Sequence, residues 1–575
     1  MLADSRHRLR AATVVMAIVL SLFIGRLFQL QGLDAAAYAA EAEEKRSIQV
    51  ELLARRGDIT DVHGTALATS IDARNVTADQ RLVAASTLGP RGVAATLAPM
   101  LGLGVEEVSA TLTGDRRFTY VAKNIEPELW SKIHALGLPG IFSQQTHRRT
   151  YPAGDLAANV IGFVGSEGEG LAGLESSLNA ALTGVAGEAT YEVSPQGGRV
   201  AVAESTLVEP QPGQDITLTL DRDIQWFAQA AIARQVQAYQ AASGTVVVLD
   251  ARTGKIRALA TAPTFDPNDP QAAPAENRGN RPVAEAFEPG STGKVITAAA
   301  LIEAGAVTPG TPLEVPNRLV RSNKSFKDFQ DHETQNLTFA GALAKSSNIG
   351  MILAAERLGL DKLYPMFGAF GLAEPTGLGL PGENPGKVLA PRQWSGTTGA
   401  TMTFGQGYSA NAVQMASVFA IIANGGVRLP PVLVESTSGP DGTQSSAAEP
   451  DGTRVVSEQT ARTVTEMLEG VVTEGGTAPA AAIPGYRVAG KTGTAQRYDP
   501  DCSCYAGYTM SFIGFAPADD PALVVAVILQ DPQGATGGGS SSAPVFSDVM
   551  SFALQSERIP PTGASSPMLP LTVDR

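Results

Sequence analysis

Residues 288–294 read Glu-Pro-Gly-Ser-Thr-Gly-Lys, and an apolar run follows them as far as Ile302. The Pro-Gly pair predicts a turn and the apolar run has helical spacing, so Ser291 is expected at the start of a helix. Ser291 and Lys294 are three residues apart, which places both side chains on one face of the first turn. A serine hydroxyl needs a neighbouring base to become a nucleophile, and a lysine is such a base when burial lowers its pKa. The pattern indicates a Ser-Lys pair, although by itself it also fits an ordinary capped helix.

Two later segments complete a motif set. Ser346-Ser-Asn348 lies in a small-residue, helix-like stretch, and Lys491-Thr-Gly-Thr494 lies in a strand-like one. Each motif is common, whereas S-x-x-K, S-x-N and K-T-G in this order define the penicillin-recognising serine acyltransferases. The candidate residues are Ser291, Lys294, Ser346 and Asn348 for catalysis, and Lys491, Thr492, Gly493 and Thr494 for substrate binding.

The histidines offer no better base. Beyond residue 216 the only histidine is His332, which lies in the charged stretch 327–333. A Ser-His-Asp triad would have to use that residue, and no G-x-S-x-G elbow accompanies it. Lysine is therefore the better candidate.

The composition describes a globular protein of two or three domains. The chain has 575 residues, of which 43% are hydrophobic and 17% charged. Its formal net charge of −14 and the lack of a concentrated basic stretch argue against nucleic acid as a partner. Only two cysteines occur, Cys502 and Cys504, and so few do not decide the compartment.

A single membrane anchor is predicted near the N-terminus. Arg6, Arg8 and Arg10 precede an apolar segment of 23 residues, 11–33, which is long enough to span a bilayer. The basic flank before it and the acidic residues after it predict a cytoplasmic N-terminus and an extracytoplasmic catalytic domain. A cleaved signal peptide is the alternative, and the length of the segment favours an uncleaved anchor.

Strand-like segments predict the fold. Two lie early, at 244–250 and 255–261, and three lie late, around Lys491 and at 509–515 and 522–529. With helices inserted between the two groups, they predict an α+β fold with one five-stranded antiparallel sheet flanked by helices. The predicted boundaries are 1–10 for a cytoplasmic tail, 11–33 for the anchor, 34–215 for an elongated mixed α/β domain, 216–558 for the catalytic domain and 559–575 for a flexible tail.

The chain resembles the class B penicillin-binding proteins, the monofunctional peptidoglycan D,D-transpeptidases of bacteria. Besides the three motifs, the resemblance rests on Arg26-Leu-Phe-Gln-Leu-Gln31, Arg56-Gly-Asp-Ile-Thr-Asp61, Arg149-Thr-Tyr-Pro152, Gly173-Leu-Glu175, Phe287-Glu-Pro-Gly-Ser291 and Phe404-Gly-Gln-Gly407. It implies that 34–215 is a pedestal domain of the dimerisation type and that 216–558 is a penicillin-binding transpeptidase domain. The short anchor and the pattern around Ser346 resemble the septal, cell-division branch, with the elongation-type branch as the alternative.

The resemblance implies a role for each catalytic candidate. Ser291 attacks the penultimate D-Ala carbonyl of a stem pentapeptide and releases the terminal D-Ala, while Lys294 accepts the Ser291 proton. Ser346 relays protons to the leaving and then the attacking amine. Asn348 hydrogen-bonds Lys294 and the substrate amide.

The resemblance also implies roles on the K-T-G strand. Lys491 supplies positive potential and helps to hold the donor carboxylate, with Thr492 and Thr494 as hydroxyl contacts. Gly493 leaves room for the substrate to lie against the strand. The N–H groups of Ser291 and Thr494 form the oxyanion hole.

The implied partners are peptidoglycan stem peptides of lipid II-derived strands and β-lactam antibiotics. A membrane glycan polymerase of the SEDS type and divisome proteins are expected as protein partners, and no metal or organic cofactor is required. Cys502 and Cys504, in the loop after the Lys491 strand, are expected to form a disulfide in an oxidising compartment, with two free thiols as the alternative.

The motifs leave three alternative functions to weigh, two of them enzymatic and one non-catalytic. A serine β-lactamase of class A uses a dedicated glutamate for deacylation, which no motif places here. A D,D-carboxypeptidase shares all three motifs and differs in admitting water. A non-catalytic division scaffold or β-lactam sensor is disfavoured because all the motif residues are intact.

Overall fold

The structure is a computed structural model. It describes residues 5–34, 36, 38, 47–192, 206–448, 451–499, 502 and 504–573. The chain forms two compact units, one of Met1–Arg55 with Gly184–Pro212 and the other of Arg56–Thr183 with Gly213–Arg575.

The first unit contains a long apolar helix and a small sheet. The helix Ser5–Phe28 continues into a π-helical turn, Gln29–Leu33, and the combined span has a hydropathy of 2.2 in its most apolar part, enough to cross a membrane by length and composition. The helix includes the arginines of the basic flank before the predicted apolar segment 11–33, because arginine is a good helix former. The three antiparallel strands are ordered Ser47–Leu52, Gly187–Glu192 and Thr206–Val208.

The N-terminal part of the second unit packs short helices against a mixed sheet. The strands are ordered Gln444–Ser446, Val434–Ser438, Asp215–Leu218, Ile59–Thr60, Ala66–Ala78 and Thr119–Ile125, with Ile141–Thr150 also paired to Ala66–Ala78. The helices are Gln80–Ala85, Gly89–Leu101, Val105–Leu112, Pro127–Ala135, Ala158–Ile161, Gly173–Ser177 and Asn179–Thr183. The predicted boundary after residue 215 falls inside the strand Asp215–Leu218, which pairs with Ile59–Thr60 and Val434–Ser438. This sheet therefore joins segments from both sides of that boundary.

Three of the stretches that resemble the family meet in a buried ion cluster. Glu175 is fully buried and accepts hydrogen bonds from Arg56 Nε and Arg149 Nε, both at 2.6 Å. Arg56 also donates to the Glu175 carbonyl at 2.8 Å and to Asn179 Oδ1 at 2.9 Å. A buried carboxylate is tolerated only when it is paired and hydrogen-bonded, as Glu175 is here. The cluster holds this part of the fold together.

The second part of the unit is built on the predicted five-stranded antiparallel sheet, which is confirmed. We number its strands β1 to β5 along the chain. They are β1 Ser243–Asp250, β2 Ile256–Ala262, β3 Ala489–Asp499, β4 Cys504–Ala516 and β5 Leu523–Gln530. The spatial order is β2-β1-β5-β4-β3, so β3, with the K-T-G motif, is an edge strand.

Both faces of the sheet are covered by helices. Along β1, Val246 and Val248 belong to one core cluster, whereas Val247 and Leu249 belong to the other, as expected for a strand buried on both sides. The longer helices are α1 Arg222–Ala238, α2 Lys294–Glu303, α3 Phe339–Ala344, α4 Asn348–Glu356, α5 Ala412–Ala423, α6 Glu458–Glu469 and α7 Ala543–Ser556. Helices α1 and α7 share one cluster, whereas α2 to α6 contribute to the other.

Short elements complete the fold. The remaining strands are Pro312–Val315, Leu319–Arg321, Lys324–Phe326, Gln335–Thr338, Lys387–Val388, Tyr408–Ser409, Val427–Arg428 and Thr453–Arg454. The remaining helices are Arg281–Ala284, Tyr364–Ala369, Thr398–Met402 and Gly538–Ser541, with 3-10 turns at Pro270–Ala272, Ala275–Asn277, Gly290–Gly293, Leu360–Leu363, Pro391–Gln393 and Pro479–Ala481.

The end of the tail at 559–573 is hydrogen-bonded to another strand although most of its residues are exposed, and its flexibility stays a prediction. Thr338 donates from its N–H to the Leu571 carbonyl at 3.2 Å and from its hydroxyl to the Pro570 carbonyl at 2.6 Å. The Val573 N–H donates to the Asn336 carbonyl at 3.1 Å. These hydrogen bonds fix the tail against the strand Gln335–Thr338, whereas its Pro- and Ser-containing sequence shows no periodicity that would predict them.

Candidate active site

The nucleophile motif folds as predicted. Gly290–Gly293 forms a 3-10 turn that runs directly into α2, so Ser291 and Lys294 lie at the start of a helix. Lys294 is fully buried, whereas Ser291 is partly exposed at the wall of a cavity. The motif therefore presents a hydroxyl to the cavity and places an amine behind it.

The Phe404–Gly407 stretch supports this turn from the other side. The Gly290 N–H donates to the Gly405 carbonyl at 2.9 Å, and the Gly407 N–H donates to Glu288 Oε1 at 3.0 Å. Gly405 has a φ of +87°, and a Cβ on it would overlap the Gly290 carbonyl. A glycine is required there both for the backbone conformation and for the close approach.

The S-x-N motif forms the turn between α3 and α4. Ser346 has a φ of +60°, a left-handed conformation that is uncommon for a residue with a side chain. Its carbonyl and hydroxyl oxygens accept hydrogen bonds from Lys294 Nζ at 2.6 and 3.2 Å. This unusual backbone therefore turns both Ser346 oxygens towards the buried lysine.

The K-T-G motif completes the constellation. Lys491 is fully buried, and its Nζ donates to Ser346 Oγ at 2.9 Å and to Thr492 Oγ1 at 3.2 Å. Thr492 Oγ1 lies 3.0 Å from Thr477 Oγ1, and Thr494 Oγ1 accepts the Gly538 N–H at 3.4 Å. The edge strand thus brings the second lysine to the same serine hydroxyl that Lys294 contacts.

Gly493 packs closely against two neighbouring segments of the chain. A Cβ on Gly493 would overlap Ser511 Oγ and would lie 3.0 Å from the Pro289 carbonyl, both of them protein atoms. Gly493 is also not among the residues that line the cavity. The missing Cβ allows β3 to pack closely against the nucleophile turn, and the role of Gly493 in leaving room for a substrate stays a prediction.

The motifs surround one cavity of about 760 Å³. Its lining includes Ser291, Ser346, Asn348, Thr492 and Thr494, together with residues 328–332, 475–477 and 536–540. Lys294 and Lys491 lie behind this lining. A cleft of this size fits a peptide-sized or drug-sized ligand, because ligand sites typically range from about 300 to 1,000 Å³.

Burial shifts the pKa of both lysines. Desolvation lowers the pKa of Lys294 to about 7, and the Asp328 carboxylate opposes that shift. Desolvation, with Lys294 as a second cause, holds the pKa of Lys491 well below its usual value. Lys294 is therefore suited to accept a proton near neutral pH.

Two predicted contacts are not formed. Asn348 Nδ2 donates to the Lys327 carbonyl at 3.1 Å, and no hydrogen bond joins Asn348 to Lys294 within the described part of the chain. Among the hydrogen bonds of the described residues, none involves Ser291 Oγ, so this hydroxyl is not yet bonded to Lys294 or Ser346. Catalytic hydrogen bonds are often formed only in the substrate complex.

Sequence reasoning missed several lining residues. Thr477 and the loop 536–540 lie far from the motifs in sequence. The glycine run 537–539 is the one sequence signal that indicates close packing at this loop. A Cβ on Gly538 would overlap the Ser511 carbonyl oxygen, and a Cβ on Gly539 would overlap the Thr477 carbonyl oxygen. Asp328 and His332 lie in the polar stretch 327–333, in which only the histidine is a candidate from the sequence.

The predicted disulfide is confirmed. Cys502 and Cys504 are bonded to each other near the tip of the β3–β4 hairpin. Tyr505, next along β4, donates from Oη to Glu288 Oε1 at 3.4 Å, which connects this hairpin to the nucleophile motif.

Among the described residues, no three His, Cys, Asp or Glu side chains cluster in a way that could hold a metal ion.

The three motifs converge on one cleft in the manner of the penicillin-recognising serine acyltransferases. Comparison with known proteins agrees, because residues 244–551 match the penicillin binding protein transpeptidase domain and residues 51–218 match the penicillin-binding protein dimerisation domain. The chain belongs to this family of penicillin-binding proteins.

Individual relatives match over nearly their whole length. The chain is 35% identical to penicillin-binding protein PbpB of Mycolicibacterium smegmatis, covering 98% of this chain and 92% of the relative. It is 33% identical to peptidoglycan D,D-transpeptidase FtsI of Escherichia coli, and the match covers 95% of this chain and 91% of that relative. The crystal structure of penicillin binding protein 3 from Mycobacterium tuberculosis complexed with aztreonam matches with a TM-score of 0.72 and 33% identity, covering 91% of this chain and 100% of that one.

Proposed function

We propose that this protein is a peptidoglycan D,D-transpeptidase of septal wall synthesis that works through a Ser291 acyl-enzyme. The observation that carries the proposal is the convergence of Lys294 Nζ and Lys491 Nζ on Ser346 Oγ, at 3.2 and 2.9 Å, behind a cavity that Ser291 lines. A serine with two buried amines and a relay hydroxyl has the parts that acyl transfer needs.

Acylation begins at Ser291. Its Oγ attacks the penultimate D-Ala carbonyl of a stem pentapeptide, and its proton passes to neutral Lys294. The N–H groups of Ser291 and Thr494 stabilise the negative charge on the carbonyl oxygen. As the C–N bond breaks, Ser346 delivers its proton to the leaving amine of the terminal D-Ala and is reprotonated by Lys294, and an ester to Ser291 remains.

Transfer reverses these proton movements. The amine of a neighbouring stem peptide attacks the ester and loses a proton through Ser346, and the Ser291 oxygen leaves and regains its proton. The products are the crosslinking amide and the free enzyme. Asn348, which lines the cavity, contacts the amide of the bound peptide.

Lys491, Thr492 and Thr494 bind the donor carboxylate. Burial lowers the pKa of Lys491 in the free protein, and an incoming carboxylate would raise it again because opposite charges stabilise each other. The two threonines line the cavity beside it. A β-lactam carries a comparable carboxylate and carbonyl, and we infer that it acylates Ser291 in the same way.

The relatives named FtsI and PbpB support a role in septal synthesis. An elongation-type transpeptidase is the second candidate, favoured by the same three motifs. We also propose a single-pass anchor with a cytoplasmic N-terminus. A pedestal domain at 34–215 and an extracytoplasmic transpeptidase domain at 216–558 follow it. The proposed protein partners are a SEDS-type glycan polymerase and divisome proteins.

The activity is tested with the full-length chain in detergent, a pentapeptide donor ending in D-Ala-D-Ala and a stem-peptide amine as acceptor. We expect D-Ala release together with a crosslinked product, both lost in Ser291→Ala. D-Ala release without crosslinking would indicate a D,D-carboxypeptidase, and rapid turnover of a penicillin would indicate a β-lactamase. A folded wild-type protein that releases no D-Ala and binds no penicillin would favour the non-catalytic scaffold.

A further inference from the structure

The carboxylate of Asp328 caps the helix that follows the S-x-N turn. Its Oδ1 accepts the N–H groups of Asn348 at 2.6 Å and Ile349 at 3.0 Å, and its Oδ2 accepts the Ser347 hydroxyl at 2.7 Å. Ser347 Oγ in turn accepts the Gly350 N–H at 2.8 Å. The N–H groups in the first turn of a helix lack intrahelical partners, so Asp328 and Ser347 together satisfy the start of α4.

His332 holds this carboxylate from the other side. Its Nε2 lies 3.1 Å from Asp328 Oδ2, and its Nδ1 lies 2.6 Å from the Glu333 carbonyl oxygen. The ring therefore lies between the Asp328 carboxylate and the Glu333 backbone, and each of its nitrogens is within hydrogen-bond distance of an oxygen. The side chains of His332 and Asp328 are 13% and 12% exposed, so the pair is largely removed from solvent.

The turn that this pair supports is the one that receives the two lysines. Ser346 is held in a left-handed conformation, and such a strained residue persists only when the surrounding structure fixes it. Both oxygens of Ser346 that contact Lys294 depend on that conformation. If the start of α4 loosened, Ser346 could relax and lose its position between the lysines.

We propose that Asp328 and His332 are positioning residues of this active site. Asp328 fixes the turn 346–348 and places a negative charge beside the buried amines, and His332 holds Asp328 in place. This inference rests on the proposed acyl transfer at Ser291. It gives a use to the lone histidine of the catalytic domain, which contacts neither the nucleophile nor the two lysines.

The charge of Asp328 acts on the catalytic base. Burial is the main reason that the pKa of Lys294 is low. The Asp328 carboxylate has the opposite effect and raises that pKa. The other charged or titratable groups around the cluster are Lys491, which contacts Ser346, and Asp331, His332 and Lys345, which line the cavity. Removing the Asp328 charge should therefore leave Lys294 neutral down to a lower pH.

The test is the rate of acylation by a fluorescent penicillin as a function of pH, measured on the full-length chain in detergent. Asp328→Asn keeps an oxygen that can cap α4 but removes the charge. We expect the maximal rate to fall by about 10 to 100-fold, because small misplacements of catalytic groups have effects of that size. We also expect the rising limb of the pH profile to move to lower pH, which a purely structural cap would not cause.

The chain offers a matched control at Asp221. Its Oδ1 accepts the N–H groups of Asp223 at 2.9 Å and Ile224 at 3.0 Å at the start of α1, and His63 Nε2 lies 3.1 Å from its Oδ2. Asp221→Asn therefore makes the same chemical change in a similar Asp–His pair outside the cavity. We expect it to leave the acylation rate and the pH profile unchanged, with the folded fraction of each variant checked by thermal unfolding.

Variants of His332 keep the test informative if Asp328→Asn does not fold. His332→Ala is expected to lower the acylation rate, and His332→Gln, which still offers a donor to Asp328, is expected to restore part of it. The proposal is overturned if folded Asp328→Asn behaves like Asp221→Asn, or if folded His332→Ala acylates at the wild-type rate. A wild-type protein that is not acylated would instead overturn the proposed function.

Discussion

Lys294 is the proposed catalytic base, and its environment leads to a prediction about pH. Burial lowers its pKa to about 7, so the amine is protonated below that pH and neutral above it. Only the neutral amine can accept the Ser291 proton, so the acylation rate should rise as the pH passes through about 7 and then level off. The measurement is the second-order rate constant for a fluorescent penicillin across the neutral range.

Variants sharpen this prediction. Lys294→Ala should lower the rate by about 100 to 10,000-fold, the usual contribution of a general base. Lys362→Ala removes an exposed lysine of a distant 3-10 turn and should leave the rate unchanged. A rate for wild type that is independent of pH in this range would contradict Lys294 as the base.

Gly405 leads to a second prediction at this scale. In Gly405→Ala the new Cβ would overlap the Gly290 carbonyl, and the backbone of the nucleophile turn would have to move. We expect acylation to fall by about 100-fold, in line with the effect of small displacements of catalytic groups. Gly377→Ala is the control, because Gly377 has a similar φ of +84° but open space around it. That variant carries the cost of the backbone conformation without the steric overlap. Equal acylation by the two folded variants would show that the contact with Gly290 does not position Ser291.

The sequence predicted the motif residues better than their surroundings. Each of the three motifs lies at a helix start or on a strand, and local sequence pattern predicts such elements. The motif residues could therefore be found from the sequence: Ser291, Lys294, Ser346 and Lys491. Asp328 reaches the S-x-N turn through a loop, and no local pattern predicts that contact. The close packing of Gly493 against Ser511 depends on the neighbouring strand, so no local pattern predicts it.

The element that holds the N-terminal part of the second unit together is the cluster around Glu175. Glu175→Gln would leave the guanidinium groups of Arg56 and Arg149 buried without their carboxylate. We expect a loss of about 3 to 5 kcal/mol in the free energy of unfolding, as measured for broken buried ion pairs. Urea unfolding of the full-length chain measures it.

The control for this prediction is an exposed ion pair. Arg91 Nη2 donates to Glu106 Oε1 at 2.9 Å, and both side chains are 79% exposed. Glu106→Gln should leave the unfolding midpoint unchanged, because exposed pairs add little to stability. Equal midpoints for the two variants would mean that the Glu175 cluster does not stabilise the fold.

At the scale of elements, strands were predicted better than connections. Strands β1 and β5 have the apolar, β-branched sequences that burial on both faces requires, and all five strands of the central sheet are predicted within a few residues of their bounds. The hydrogen bonds of the tail and the pairing of the strand Asp215–Leu218 do not follow from the sequence. Their pairing partners, such as Asn336 and Val434, lie far away in sequence, so only the folded chain brings them together.

The whole molecule combines an apolar helix with a catalytic domain, which predicts a defined membrane topology. Arg6, Arg8 and Arg10 precede the apolar part of Ser5–Leu33, and a basic flank favours the cytoplasmic side. A C-terminal alkaline phosphatase fusion, expressed in bacteria, should therefore be active, since that reporter requires export. A control fusion placed directly after Arg10 should be inactive. The opposite pattern would reverse the proposed orientation.

The proposed activity requires an acyl-enzyme at Ser291, and mass spectrometry identifies the acylated residue. The full-length protein is incubated with a penicillin and digested, and the modified peptide is sequenced. The structure predicts one adduct, on Ser291, in wild type and in the folded Asp221→Asn control, and none in Ser291→Ala. An adduct on another residue, or its persistence in Ser291→Ala, would contradict this account.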